Sequence, residues 1–266
     1  MFDPTGRDPT GRFSGLAATY ESHRPDYPAA AIDFILEHCG LRPGRRLVDV
    51  GCGTGISSRQ FAARGLEVVG IEPNTDMRRT AEVVGGPMSY RDGRADATGL
   101  CDACANAVLA AQAFHWFAAD AALAEFHRIL KPGGWVVLMW NERDTADVFT
   151  ARFIALLATH SPDPQLATLV QSKTGDVLLN CPLFKDAQRR ELPHQQPLTA
   201  DKFIGRAFSA SYSPRDAESR RRLEANLRQL HAQHAAGGVA ALQYRTTLFL
   251  ARRPLVAGAA DCYARG

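Results

Sequence analysis

Between residues 46 and 140 the chain alternates short apolar runs with stretches of helical length, and nothing else in it narrows the possible folds as much. RLVDV (46–50), EVVGI (67–71), AVLAA (107–111) and WVVLMW (135–140) have strand length, and their nearly unbroken apolar character predicts burial on both faces. A weaker strand is expected at 88–91. The intervening stretches 56–64, 76–84 and 119–130 read as helices, with Phe61 inward on the first and Asn74 or Thr75 capping the second. The KPGG at 131–134 stops the third. Strands separated by helices of this length form βαβ units, so the expected class is α/β, with a mostly parallel sheet covered by helices on both faces.

Around this block the pattern is looser. DPTGR occurs twice, at 3–7 and 8–12, and reads as a flexible tail. A helix-compatible stretch from 13 ends at Pro25 and Pro28, and 29–39 places Ile32, Ile35 and Leu36 on one helical face. After Asn141, residues 147–182 look largely helical, broken at Pro162 and Pro164. DAQRRELP is a candidate strand, 216–236 a helix, Gly237-Gly238 a turn and YRTTLFLA (244–251) a last strand. The expectation is one domain over 13–251, with a helical insertion at 147–182 acting as a lid and a C-terminal tail at 252–266.

Composition excludes several classes. With 45% apolar and 22% charged residues in 266, the chain can bury a substantial core, so it is not a disordered protein. No apolar run reaches the roughly 18 residues of a membrane span, and the first residues lack the apolar block of a secretory signal. A cytoplasmic location follows as the expectation, with the six cysteines kept as thiols. Cys101 and Cys104 form a lone C-x-x-C without the second pair a zinc site needs, so no metal is expected. Charge is nearly balanced, 31 basic against 28 acidic residues, which argues against a nucleic-acid partner.

Chemistry enters at LVDVGCGTG (47–55), where a buried strand runs into Gly51, Gly53 and Gly55 and then a helix. Glycine suits a loop whose backbone must approach a ligand closely. A dinucleotide loop would read G-x-G-x-x-G, but its third glycine position is taken here by Ile56. Glu72, roughly twenty residues beyond Gly51 at the end of the second strand, can accept both hydroxyls of a ribose and repels a 2′-phosphate. Loop and acid together imply an adenosine-bearing ligand without a pyrophosphate.

VDVGCGTG, VVGIEPN and AEFHRILKPGGWVVLMW, taken jointly, resemble the class I S-adenosylmethionine-dependent methyltransferases. The subgroup is that of small-molecule enzymes, including ubiquinone/menaquinone-type C-methyltransferases and trans-aconitate-like enzymes; AQAFHWF and WNERD narrow it to one branch. The resemblance covers 13–251. It implies a Rossmann-like sheet of seven mostly parallel strands with an antiparallel last strand, and S-adenosylmethionine as cofactor. It also implies that Gly51, Gly53 and Gly55 line the methionine part of that cofactor and that Glu72 holds the ribose. Met77 would pack on the adenine, and Asp96 and Ala97 would meet its amino group. Tyr20 and Arg24, in YESHRPDYP, would reach its carboxylate. The chain departs from the family pattern at Cys101 and Asn106, where relatives more often carry proline and aspartate.

Open α/β sheets carry their sites at the carboxyl ends of the strands. His115, just beyond the fourth strand, is the candidate general base; the alternative is a His-Trp pair that only shapes the pocket. Gln112 stands where cofactor and acceptor would meet, and Phe114, Trp116, Trp140 and Asn141 are expected to border a small-molecule acceptor. Tyr212, in AFSASY (207–212), would join them from the lid. Competing readings are a nicotinamide-dependent dehydrogenase, a nucleic-acid methyltransferase, and a cyclase or binding protein that keeps the cofactor without methyl transfer. The second lacks its N-P-P-Y-type segment, since AQAFHW stands there.

Overall fold

The structure is a computed structural model and describes residues 21–163, 171–210, 213–214 and 216–255. Tyr20 and Tyr212 lie outside them, as do the DPTGR repeat and most of the C-terminal tail.

Helix α1 (Ala29–His38) precedes β1 (Arg46–Val50), α2 (Ile56–Ala62), β2 (Glu67–Ile71), α3 (Thr75–Val84), β3 (Ser89–Arg91) and β4 (Ala105–Ala111). A 3₁₀ turn (Phe114–Trp116) leads into α4 (Ala119–Ile129) and β5 (Leu130–Arg143). Then come α5 (Val148–His160), α6 (Asp176–Leu179), β6 (Lys185–Thr199), α7 (Ala200–Phe208), α8 (Ala217–His234) and β7 (Val239–Arg252). One seven-stranded sheet results, in the order β3-β2-β1-β4-β5-β7-β6. β1 to β5 are parallel, and β7 runs antiparallel to both neighbours. The α/β, Rossmann-like architecture is thus as the motifs imply. Strand order reverses between β1 and β4, and there a crevice opens at the carboxyl ends.

The inner strands β1, β2, β4, β5 and β7 are buried on both faces. Val48, Val108, Val136, Leu138 and Trp140 point to the α4 side, against Phe114 and Phe126. Leu47, Leu109, Val137 and Met139 point to the other, against Ile32, Ile35 and Phe61. A third cluster joins α5, α7 and α8 to the far end of the β6–β7 hairpin through Phe149, Phe153, Phe203, Leu223, Leu227 and Leu242.

That third cluster holds the main departures from expectation. The hairpin strands run well beyond DAQRRELP and YRTTLFLA, because β6 is a mostly exposed edge strand whose extent is set by pairing with β7, from Lys185↔Arg252 to Thr199↔Val239. Helix α7 has no counterpart in the sequence pattern; only Phe203, Ile204, Arg206 and Ala207 of its nine residues are buried. The helical layer therefore draws on 200–234 as well as on the expected insertion. β5 begins earlier than WVVLMW, at Leu130, with a register shift opposite Ala105 and Ala107. The first residues of the expected tail are pinned: the Arg253 guanidinium donates to the His127 carbonyl at 2.8 Å, and its N–H to that of Gly134. Among the described residues no helix is long and apolar enough to cross a membrane.

Candidate active site

All three loop glycines have left-handed backbones, with φ of +70° at Gly51, +56° at Gly53 and +81° at Gly55. A Cβ there costs roughly 1–2 kcal/mol in any residue but glycine. Their surroundings differ. A Cβ on Gly51 would lie 2.7 Å from that of Ala113, and one on Gly55 would strike the Tyr90 hydroxyl. At Gly53 nothing stands within 4 Å. The structure therefore sharpens the expectation for the triplet: Gly51 is closed by Ala113, Gly55 faces the ends of the Tyr90 and Arg59 side chains, and Gly53 is the one whose missing side chain leaves open space.

The Gly53 N–H donates to Glu72 Oε2 at 2.9 Å, and the Asn74 N–H to Oε1 at 2.8 Å. Burial pushes the Glu72 carboxyl up, and these two bonds oppose the shift. Asn74 also caps α3 by accepting from the Met77 N–H at 3.0 Å, which settles the choice between Asn74 and Thr75. Met77 is buried at the first turn of that helix.

Asp49, inside the motif but not singled out by the sequence pattern, is fully buried beneath the loop. Its Oδ2 accepts from the hydroxyls of Ser57 and Ser58, both at 2.7 Å, while Oδ1 is buried without a partner. Burial pushes its carboxyl up to about 6, against the pull of the two serines. A signal for it exists in the chain: an acid amid a buried apolar strand has to be compensated or used. The Thr54 hydroxyl is also buried without a partner. An open cradle at Gly53, a ribose-type acceptor at Glu72 and an orphaned anionic oxygen at Asp49 fit a cofactor that carries an ammonium, a sulfonium and a nucleoside.

Asp96 and Ala97 are exposed, and the Asp96 carboxylate is paired with Arg94 through two bonds of 2.9 Å, which hold it below the usual carboxylate range. The segment that follows is anchored from α4. Glu125 accepts from the Thr98 N–H at 2.9 Å and from Arg128 Nε at 2.7 Å, and Arg128 donates to the Leu100 carbonyl at 2.7 Å. Arg128 chiefly, then Thr98, hold Glu125 down at about 2.

At the carboxyl ends of β4 and β5, Gln112 is a non-glycine residue at φ +54°, a strained conformation of the kind that collects at functional sites. Its side-chain amide donates to the Asn141 carbonyl at 3.2 Å. Asn141 donates in turn to the Asp26 carbonyl at 2.8 Å and accepts from the Thr246 hydroxyl at 2.7 Å. These bonds draw the segment bearing Arg24 onto the sheet edge, where Arg24 donates to the Ser209 carbonyl at 3.4 Å.

Phe114 and Trp140 do not form an acceptor wall. Both are fully buried, Phe114 among Phe117 and Phe126 and Trp140 edge-on to Phe249. Strand alternation sends Trp140 to the α4 face and Asn141 to the crevice side. Trp140 acts through a neighbour instead: its indole N–H donates to His115 Nδ1 at 3.2 Å. Since an indole is a donor only, neutral His115 carries its proton on Nε2 in this arrangement. The ring is half-buried and tilted against Trp116, with centroids 4.9 Å apart.

A methyltransferase-domain family model matches residues 48–138. An uncharacterized methyltransferase of Mycobacterium tuberculosis is similar to the chain, 33% identical over 233 residues, which covers 86% of this chain and 89% of the relative. Among solved structures, one described as a type II methyltransferase from Anaeromyxobacter dehalogenans aligns at 26% identity with a TM-score of 0.59, over 86% of this chain and 96% of its own. Phosphoethanolamine N-methyltransferase 2 of Haemonchus contortus, solved with phosphomonomethylethanolamine and S-adenosylhomocysteine, shares the fold at 17% identity and a TM-score of 0.54, over 90% of this chain and 57% of its own.

Proposed function

This chain belongs to the class I S-adenosylmethionine-dependent methyltransferases, and on that premise we propose that it methylates an oxygen, nitrogen or carbon nucleophile of a small-molecule acceptor. The cofactor supplies a sulfonium methyl: the S–CH₃ bond breaks as the bond to the acceptor forms, and sulfur keeps the electron pair in S-adenosylhomocysteine. The protein's part is to bind, align and exclude water, since proximity alone can lower such a barrier by several kcal/mol.

The observation that carries the reading is the Glu72–Gly53 hydrogen bond, which ties a ribose-type acceptor to the open side of the glycine loop. In this reading Gly53 passes the amino-acid part of the cofactor, Glu72 receives the ribose hydroxyls, and Met77, Asp96 and Ala97 border the adenine. Arg24, with Tyr20, takes the carboxylate. His115 serves as a hydrogen-bond donor through Nε2 that orients the acceptor, because a base at Nε2 would have to move its proton to Nδ1, against the Trp140 N–H. A proton on the nucleophile leaves to water, and an acceptor already ionised needs no base.

Titration with S-adenosylhomocysteine and with NAD, followed by incubation with methyl-labelled cofactor and a metabolite pool, tests this. Selective binding of S-adenosylhomocysteine and a labelled product of low mass are expected. Preferential binding of NAD, or label passing only to protein or nucleic acid, would refute it.

A further inference from the structure

Cys101 and Cys104, the C-x-x-C that the fold and the crevice leave unused, stand at the two ends of a tight turn through Asp102 and Ala103. Residues so placed have Cα atoms within about 7 Å, which overlaps the roughly 4.4–6.8 Å that a disulfide spans. Cys101 is exposed and Cys104 half-buried. The Cys104 thiol is raised from its ordinary value by burial first, then by its hydrogen bond to Cys101 and the charge of that group. A hydrogen bond requires contact, so the two sulfurs are neighbours.

The turn is held without help from either sulfur. Ala103 has φ +48°, in the left-handed region that disfavours a Cβ. The last turn of α4 fixes this conformation. The Ala103 N–H donates to the Arg128 carbonyl at 3.0 Å, and the Cys104 N–H to that of Ile129 at 2.9 Å. The Arg128 guanidinium donates to Asp102 at 2.5 Å and to the Leu100 carbonyl at 2.7 Å. Both cysteines are thus aligned by the backbone before any bond joins them, and strained backbone of this kind collects at functional positions. From β1, Arg46, bonded to Glu67 at 2.6 Å, lies near both thiols, whose charges favour its guanidinium after the larger effect of Glu67. A cation beside a dithiol stabilises the thiolate that exchange requires.

Two other roles fit the pair less well. A structural thiol is buried and inert, whereas Cys101 is exposed. A metal site needs more than two protein ligands, and among the described residues no three His, Cys, Asp or Glu side chains are grouped to hold an ion.

We propose that Cys101 and Cys104 form a thiol–disulfide exchange site whose substrate is a low-molecular-weight disulfide. The exposed Cys101 thiolate attacks one sulfur of that disulfide; its S–S bond breaks and one small thiolate leaves. The Cys104 thiolate then attacks the Cys101 sulfur of the mixed disulfide, closing the turn and releasing the second. The protein dithiol loses two electrons and two protons, and the small disulfide gains both as two thiols. The site opens at the amino end of β4, a strand of seven residues, and so about 20 Å from the crevice at the carboxyl end. It stands independently of the methyltransferase reading.

The test equilibrates the whole chain with reduced and oxidised glutathione at a series of ratios, once in buffer and once in unfolding urea. Free thiols are then alkylated, and the tryptic peptide 95–128, which contains these two cysteines and no other, is analysed by mass. A non-alkylated peptide, reopened by dithiothreitol, should appear in the folded chain at a reduced-to-oxidised ratio about tenfold higher than in urea. Cys104→Ser should leave Cys101 as the glutathione mixed disulfide, and Cys101→Ser should leave Cys104 reacting about tenfold more slowly than Cys101 does. Two free thiols at every ratio, a wild-type peptide that stops at the mixed disulfide, or a bridge from either cysteine to a different one overturns the proposal. So does faster reaction at Cys104 than at Cys101. Equal ratios in buffer and urea also overturn it, because the fold then contributes nothing to closure.

Discussion

At the glycine-loop end of the crevice, Glu72 reaches Gly53 across 19 positions of sequence, and Asp49 reaches Ser57 and Ser58 across 8 and 9. At the β5–β7 end, Asn141 bonds Asp26 across 115 positions and Thr246 across 105, while Arg24 reaches Ser209 across 185. The polar contacts of the first end are made within a single βαβ unit, although Ala113 and Tyr90 pack against its glycines from outside. The second exists only once the N-terminal segment, the β6–β7 hairpin and the layer of α5, α7 and α8 have docked on one another. Loop closure makes such distant contacts costly to assemble and their register hard to infer locally. On the proposed function, the difference becomes a division of labour in which cofactor binding belongs to the local unit and acceptor choice to the long-range one.

Under that division, substitutions at the first end should act on cofactor binding or local stability and leave acceptor preference alone. Gly53→Val should have the largest effect: filling the open space should weaken S-adenosylhomocysteine binding about a hundredfold by calorimetry. The unfolding cost should stay near the roughly 1–2 kcal/mol of a left-handed non-glycine residue. Unchanged affinity would mean that the cofactor does not pass this glycine.

Asp49→Asn separates stability from binding at the same end. Asp49 ordinarily ionises near 3.8 and is pushed up to about 6 in the folded protein. Folding therefore favours its protonated form, and the wild type loses stability relative to the asparagine variant as pH rises from about 4 through about 6. Two pK units correspond to on the order of 3 kcal/mol. Urea unfolding of both proteins at pH 4.5 and 7.5 should show the gap widening in favour of the variant at the higher pH, by up to roughly that amount. A gap independent of pH would show that Asp49 is not a strained buried acid. Cofactor affinity should fall in the variant, because the partnerless Oδ1 carries the negative charge the ammonium would meet.

The smallest effects sharpen the second end. If His115 donates through Nε2, His115→Ala should lower turnover about tenfold on the acceptor found by labelling, and His115→Gln, which keeps a donor, should lower it less. Cofactor affinity should hold within about twofold in both. Trp140→Phe, which removes the indole N–H from Nδ1 and so frees the ring to exchange tautomers, should cost a few-fold in turnover. A His115→Gln variant as slow as His115→Ala would instead make His115 a base.

The β1 and β2 limits, RLVDV and EVVGI, are readable from the chain unaided because each is a short, mostly apolar run that ends at Gly51 or at Glu72-Pro73. The N-cap of α3 is legible to within one residue, Asn74 or Thr75, for the same local reason, a polar side chain able to reach a backbone N–H three residues on. Trp140 and Phe114 mislead because an aromatic near a strand end has the same local appearance whether it faces the crevice or the core. Arg206 is hidden because ADKFIGRAF, a short helix with charges spread along it, gives no local hint that its arginine turns inward.

From the amino-acid order alone came the parallel βαβ core, the glycine loop with its acid and hence the class of cofactor, all set by propensity, apolar period and chemistry within a few dozen residues. The tertiary structure decided which glycine leaves the opening, which nitrogen of His115 keeps its proton, and that Arg24 meets Ser209 from most of the chain away. Those depend on side chains brought together by docked layers, and the free energy of that docking is spread over many contacts, none visible in any short stretch of sequence.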